Sequence, residues 1–316
     1  MKHRKFWFWL IGLSVVALLA CAGLVGLGVW AGGSMDTSGP AFGDAVGIIR
    51  VEGMIMPGEA PAPNPFASTG GAYSQEIIDN LKKADENSSV KAVILYVDSP
   101  GGSSFASDEI ALQIKKMAKP VLAVMSSMAA SGGYYISAPT DEIWASPHSL
   151  TCSIGVISQF LNLEGFAKEY GVTYITVKSG KFKDTGNPFR EFSQEDQALW
   201  QTMIDEIYGE FVKVVADGRH MSEEDVRKIA DGRVCTGQQA QKMGLVDKLG
   251  YLPEAIKRAA ELGGIQGEPR IIEYKRTPSF FESLGATFSR PTPVEQLQQL
   301  LHYQAGSPLM YLYVGP

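Results

Sequence analysis

Two stretches with the same pattern decide the fold: VKAVILYVDSPGG at residues 90–102 and VLAVMSSMAASGG at residues 121–133. Each opens with an apolar run and closes on a glycine pair. Val90–Val97 and Val121–Met125 lack the in-out alternation of a half-exposed strand, so both read as strands buried on two faces, the habit of a parallel sheet. Apolar residues at helical spacing follow the first (Ala106, Ile110, Ile114 and Met117 within 103–118), and a helix start at 131–137 follows the second.

Working outward, the alternation continues. A β-branched strand is expected over Val46–Ile55, a Pro- and Gly-rich loop over Pro57–Gly71, and a helix over Ser74–Ala84. Short strands are expected at Ile143–Ala145 and Tyr174–Val177. Ser193–Ala216 reads as a long amphipathic helix with Ser193 as N-cap and Glu195 and Asp196 in its first turn. Shorter helices are expected at Ser222–Ile229 and Gln238–Met243. This rhythm predicts an α/β fold with a largely parallel sheet. It fades after about Gly264: Thr277–Pro316 holds Pro278, Pro291, Pro293, Pro308 and Pro316, one possible helix at Pro293–Tyr303, and an apolar end, PLMYLYVGP. That end has too few charges for a free tail and is expected to pack on its own domain or a neighbour.

The N-terminus sets the compartment. Lys2, Arg4 and Lys5 precede 26 uncharged residues, Phe6–Ala31. As a helix this run is about 39 Å long, enough to cross a hydrocarbon core of about 30 Å. Trp7, Trp9 and Trp30 flank it, and the basic residues place its start on the cytoplasmic side. A cleaved signal peptide has a shorter apolar region, and a lipoprotein, suggested by Leu18-Leu19-Ala20-Cys21, usually turns polar after its cysteine. The expectation is therefore a single-pass anchor of the cytoplasmic membrane (6–31) after a cytoplasmic n-region (1–5), with a Gly/Ser-rich tether (32–44) leading to an extracytoplasmic domain. The net charge of −6 without a basic run argues against nucleic acid. Cys21, Cys152 and Cys235 form no CxxC pattern, so neither a zinc framework nor a disulfide scaffold is expected, and no metal or cofactor motif is present.

The chemistry points to the glycine pairs. In parallel α/β sheets, sites form beyond the carboxyl ends of the strands, so Gly101-Gly102 and Ser131-Gly132-Gly133 can share one edge. Glycines let backbone N–H groups approach a ligand closely. A serine among them reads either as a nucleophile beside an oxyanion hole or as part of a tight strand-to-helix turn. Two nucleophile patterns fail: Ala129 stands where the hydrolase elbow needs glycine, and Tyr134 where SxxK needs lysine. Among the four histidines only His148, in a Pro-containing turn, is a credible base. Lysine is the other option, since burial lowers its pKa. Lys178, Lys181 and Lys183 cluster after 174–177, although by themselves they read first as a solvated basic loop.

Five segments in order carry a resemblance: VDSPGGSSFASDEI, KPVLAVMSSMAASGGYYISAPTDEIWASP, TCSIGVI, VKSGKFKDTGNPFRE and DGRVCTGQQAQKMGLVDKLG. Over about residues 45–260 the chain resembles the short, single-anchor bacterial signal peptide peptidases, the protease IV family. The resemblance implies a crotonase/Clp-protease-like spiral and a Ser/Lys peptidase domain over 45–264, with a C-terminal extension over 265–316. It implies Ser131 as nucleophile, Lys183 as general base and Ser153 as the residue that orients the lysine. It assigns the oxyanion hole to Gly102 and Gly132, with Gly101 as the alternative to Gly102. It further implies a ring-like homo-oligomer in which serine and lysine meet across a protomer boundary. One departure stands out: Cys152 occupies a place the family usually gives to glycine, tolerable at negative φ and strained at positive φ.

The expected activity is that of a membrane-anchored serine endopeptidase degrading released signal peptides and other apolar peptides. An acyl-CoA enzyme of the crotonase type and a non-catalytic peptide-binding scaffold are the alternatives. The apolar C-terminal end is a candidate inhibitory or substrate-like segment for a neighbour's groove.

Overall fold

The computed structural model describes residues 43–61, 71–274 and 309–313, together with the backbone of 37–38. The expected anchor at 6–31, most of the tether and the possible helix at 293–303 lie outside the described residues. Among the described residues, no helix is long and apolar enough to cross a membrane.

The main sheet runs β1 (Thr37–Ser38), β12 (Arg270–Tyr274), β2 (Ala45–Glu52), β5 (Val90–Ser99), β7 (Val121–Ala129), β8 (Glu142–Ala145), β11 (Lys248–Leu249). Every pairing from β12 to β11 is parallel, and only β1 on β12 is antiparallel. β9 (Leu150–Cys152) and β10 (Val234–Thr236) form an antiparallel pair branching from β7. A second, smaller sheet is ordered β13 (Met310–Leu312), β6 (Gly101–Ser103), β3 (Ile55–Met56), β4 (Ala72–Tyr73).

The apolar runs behave as a two-faced strand requires. In β5, Val93, Leu95 and Val97 enter a large core shared with α1 (Ser74–Glu86), α2 (Ser104–Ile114), α3 (Gly132–Ser137) and α5 (Gln194–Arg219). Ala92 and Ile94 point the other way, with Val46, Ile48, Leu122 and Val124, onto Ala255 and Ala259 of α8 (Leu252–Leu262). Both faces are thus covered, which is why no alternation was visible.

Helix starts follow their caps. Ser193 caps α5 in a box with Asp196, and Ser222 caps α6 (Glu223–Ile229). Thr236 and Gln239 form a second box at α7 (Gly237–Lys242). The far end of α5 is pinned at Gly218, where a Cβ would lie 2.0 Å from the Ala138 carbonyl oxygen that follows α3.

Three expectations need correction. The strand expected over Val46–Ile55 is two strands, because Gly53 turns at φ 83° and donates its N–H to the Asp98 carbonyl. Tyr174–Val177 is not a strand: no other described strand pairs with it, and Val177 is 96% exposed. Cys152 and Cys235 are joined by a disulfide. Spacing rules read local frameworks, whereas these cysteines become neighbours only when β9 and β10 pair across 83 residues of chain.

Candidate functional site

The carboxyl ends of β5 and β7 lie side by side, with Ser99 opposite Ala129 past a register shift. The Ser99 carbonyl accepts the Ala130 N–H at 3.0 Å, and its Oγ accepts the Gly101 N–H at 3.1 Å. The two glycine-rich loops are thereby tied edge to edge, as the fold predicts.

Ser131 stands at the junction of β7 and α3 with φ 53° and ψ −115°, a backbone state that a non-glycine residue adopts only when its surroundings impose it. Those surroundings are visible: its N–H donates to the Cys152 carbonyl at 2.8 Å, and its carbonyl accepts the Tyr135 N–H at 2.8 Å. The residue is 1% exposed, and its Oγ has no hydrogen-bond partner among the described residues.

The glycines around it are required by contact. A Cβ on Gly102 would lie 2.1 Å from the Ile55 carbonyl oxygen, and one on Gly101 would lie 2.6 Å from the Gly132 nitrogen. A Cβ on Gly132 would lie 2.7 Å from Ser107 Oγ. Gly101, Gly102, Ser131 and Gly132 therefore meet in one place, and the structure brings the expected serine and oxyanion residues together.

A strand lies on them. β13 pairs antiparallel with β6, with Tyr311 opposite Gly102, and extends the pairing through Tyr313 N–H to the Pro100 carbonyl at 2.9 Å. On its other side Met310 exchanges two backbone hydrogen bonds with Ile157, at 3.0 and 3.2 Å. The Tyr311 carbonyl oxygen reaches the glycines: a Cβ on Gly101 would fall 2.0 Å from it, and one on Gly132 3.1 Å. Tyr311 itself is 2% exposed, its ring against Tyr135 (4.7 Å) and Phe211 (4.6 Å), its hydroxyl donating to the Ile207 carbonyl at 3.1 Å. Burial pushes the phenols of Tyr135 and Tyr311 well above their ordinary range, and the Tyr135 hydroxyl donates to Asp108 at 2.8 Å. The apolar C-terminal end thus packs on its own chain's glycines.

Lys183 is elsewhere. It lies exposed on an arm, residues 155–190, beside a surface pocket bordered by Tyr174, Thr176, Asn187 and Phe189. Two of the three clustered lysines are engaged, Lys178 with Asp184 at 2.6 Å and Lys181 with Glu195 at 2.5 Å. Among the described residues, the Lys183 ammonium has neither a hydrogen bond nor an ion pair. Within one chain, Ser131 and Lys183 do not touch. The arm is anchored at its base, where Arg190 donates to both carboxylate oxygens of Asp196 at 2.6 and 3.0 Å. That pairing holds the Asp196 carboxyl well below the usual carboxylate range. Trp200 Nε1 donates to Thr185 Oγ1 at 3.0 Å, which fixes the turn after Lys183 to α5.

Ser153 is almost buried beside Cys152, and its N–H donates to the Arg233 carbonyl at 2.8 Å. Cys152 has φ 65° and Ser153 φ 54°, so the strained alternative foreseen for Cys152 is the one adopted. His148 is exposed in the turn closed by Ser149 N–H on the Ser146 carbonyl. Sequence reasoning missed Ser99, whose hydroxyl braces the glycine loop, and the long-range pairing of Cys152 with Cys235. Ser99 sits inside the quoted VDSPGG and was open to discovery there. The pairing of β13 with β6 has no local signal.

The model described as Peptidase family S49 matches residues 113–266, and that of Clp protease matches residues 68–151. A Methanocaldococcus jannaschii protein provisionally named as a protease is 42% identical over 212 residues, 66% of this chain and 67% of that one. Protease 4 of Haemophilus influenzae is 38% identical over 220 residues, 69% of this chain but 34% of that longer one. The chloroplastic serine protease SPPA of Arabidopsis thaliana is 33% identical over 225 residues, 70% of this chain and 33% of that one. The chain thus spans about a third of the length of these last two relatives. Among solved structures, a mutant ClpP1 from Listeria monocytogenes superposes with a TM-score of 0.43 at 14% identity over 66% of this chain and 94% of that one, too distant to build on. The relatives displace the acyl-CoA and scaffold alternatives, for the chain belongs to peptidase family S49 and is a serine protease.

Proposed function

We propose that the chain is a membrane-anchored endopeptidase with a Ser131/Lys183 dyad, cleaving released signal peptides and other apolar peptides at the extracytoplasmic face of the membrane. One observation carries this reading: an extended segment lies antiparallel on the Gly101–Ser103 strand with its Tyr311 carbonyl against Gly101 and Gly132, beside Ser131. A peptide substrate held in that way presents a carbonyl carbon to Ser131 Oγ, with its oxygen at the glycine amides. Lys183 takes the Oγ proton, Oγ attacks, and the oxyanion is held by the N–H groups of Gly132 and Gly102, the Gly101 N–H being engaged by Ser99 Oγ. The amine product departs with a proton from Lys183, and water then hydrolyses the acyl-enzyme. Ser153 orients the lysine.

The dyad is shared between protomers of a homo-oligomeric ring. Its support is the separation within one chain. The turn after Lys183 is tied to Trp200, whereas Tyr135, one helical turn past Ser131, packs on Phe211. Those positions on α5 are about 16 Å apart along the helix axis. The apolar arm residues Tyr174, Ile175, Val177 and Phe182 are exposed in the single chain. A second copy seated there would cover them and desolvate Lys183, which is what turns a lysine into a base. The small sheet at the site accords with the crotonase/Clp-like spiral. The disulfide accords with an extracytoplasmic domain, because such bonds persist in oxidising compartments. The bound C-terminal strand makes the resting enzyme self-inhibited.

The test is hydrolysis of a quenched-fluorescent Leu/Ala-rich peptide by the detergent-solubilised full chain. Ser131→Ala and Lys183→Ala each abolish it, and a mixture of the two, co-assembled, regains part of it. Full activity in Lys183→Ala refutes the dyad. Loss in both without recovery on co-assembly refutes sharing.

A further inference from the structure

The disulfide closes at an unusual place. Cys152 ends β9 opposite Val234, Cys235 lies opposite Thr151, and the bond is a covalent rung in a ladder only three residues long. Both cysteines are buried, at 1% and 4% exposure, so neither is placed to sense solvent oxidants. The residue that carries the rung is the one whose carbonyl receives the Ser131 N–H at 2.8 Å, and the next residue is Ser153. Both Cys152 and Ser153 are left-handed, at φ 65° and 54°. L residues with side chains resist that conformation, and a pair of them relaxes unless held on several sides.

The non-covalent holds are few. β9 touches β7 through one pairing, Met128 with Leu150, and through the Thr151 hydroxyl on the Ala129 carbonyl at 2.8 Å. On the far side, Ser153 N–H meets the Arg233 carbonyl and Gly232 N–H the Ile154 carbonyl, at 2.8 and 3.1 Å. Those bonds end on Gly232 and Arg233, directly before β10, which the disulfide ties to β9. A cross-link meant only to staple the fold works equally well at any well-packed pair. This one is placed on the strained turn itself.

We propose that the Cys152–Cys235 disulfide is a positioning element of the peptidase site. It holds Cys152 in the left-handed state, which keeps the Cys152 carbonyl on the Ser131 amide and Ser153 in its place beside it. The catalytic part of this inference rests on the Ser131 reading above, and the positioning part does not. A glycine at 152 adopts φ 65° without strain, so it needs no clamp.

The experiment compares the full-length solubilised wild type with two double variants, Cys152→Ser/Cys235→Ser and Cys152→Gly/Cys235→Ser. A non-reducing peptide map of the wild type must first show the 152–235 cross-link, and two free thiols there overturn the proposal. Both variants lose the cross-link and fall in Tm together. The Ser/Ser protein is expected to lose at least about tenfold in kcat with KM within about twofold, and hydrogen exchange at the Ser131 amide to quicken about tenfold. The Gly/Ser protein is expected to keep kcat within about threefold and to keep the slow exchange. Wild-type kcat and exchange in Ser/Ser overturn the proposal, as does a Gly/Ser protein as impaired as Ser/Ser, which leaves only a general staple. Should Ser/Ser not fold, Gly/Ser decides alone: near-normal kcat supports the proposal and a tenfold loss overturns it. Should the wild type show no Ser131-dependent hydrolysis, the functional reading fails, and the exchange comparison still decides the positioning.

Discussion

Replacing Tyr311 by alanine should switch the enzyme on. The C-terminal strand is held on the glycines by a few backbone hydrogen bonds and by this one side chain, which fills the space between Tyr135 and Phe211. A buried tyrosine removes roughly 200 Å² from water, worth at most about 5 kcal/mol at 25 cal/mol per Å². Compact unfolded or undocked states and the methyl left by alanine reduce that to about 3–4 kcal/mol. At 1.4 kcal/mol per decade, the docking equilibrium of the strand weakens by a factor of about 100–700. Tyr311→Phe keeps both ring contacts and loses only the hydroxyl bond to Ile207, about 1 kcal/mol or roughly fivefold. The assay is initial-rate hydrolysis of the quenched peptide by full-length protein, with Tm followed in parallel. The expected order of rates is Tyr311→Ala above Tyr311→Phe above wild type, with deletion of residues 309–316 at or above the alanine variant. A Tyr311→Ala protein that is folded yet no faster than wild type, or a reversed order, would refute the inhibitory reading and make β13 an ordinary part of the core.

Gly102→Ala places a methyl 2.1 Å from the Ile55 carbonyl oxygen and should cost at least about a hundredfold in kcat/KM, with a lower Tm, since backbone must move to admit it. Retained activity would show that the present position of the Gly102 amide is not needed for the reaction. Asp196→Asn breaks the forked pairing with Arg190 and the cap of α5, and should loosen the arm locally by about 2–3 kcal/mol, read as faster hydrogen exchange over 180–196 while β5 and β7 stay protected. Because the folded Asp196 carboxyl titrates below its unfolded value, its contribution is fully present above about pH 4 and is lost as pH falls towards the depressed folded pKa. Protection of the arm amides, taken relative to their intrinsic exchange rates, should therefore stay flat from pH 7 to about pH 5 and fall only in stronger acid. A fall in protection already at pH 6 would contradict it.

The central fold was legible because its signals are local and redundant. Val90–Val97 and Val121–Met125 announce a two-faced sheet, and Ser193 and Ser222 announce helix starts. The serine and its glycines were legible for the same reason, since a strand end, a glycine pair and a helix start fall within thirteen residues. What escaped is long-range. β9 and β10 are three-residue strands whose stability lies in each other, and β13 is specified by the groove that receives it. The stretch at 174–177 has strand composition but no strand partner among the described residues, so composition misled. Nothing local distinguishes Lys183 from Lys178 and Lys181; in the structure the other two are ion-paired.

Helix α5 acts as a ruler. Its first turn grips the arm that carries Lys183, and its last turns abut Tyr135 and the Ala138 carbonyl at the end of the helix that Ser131 begins. Twenty-six residues make a rod of about 39 Å, and a rod of fixed length makes the gap between a chain's own lysine and serine a built-in dimension. In the ring proposed above, that same dimension would set how far round the next copy must sit for its site to be served. Removing one turn of α5 would draw the arm about 5 Å nearer the chain's own Ser131 and mis-space it for a neighbouring copy.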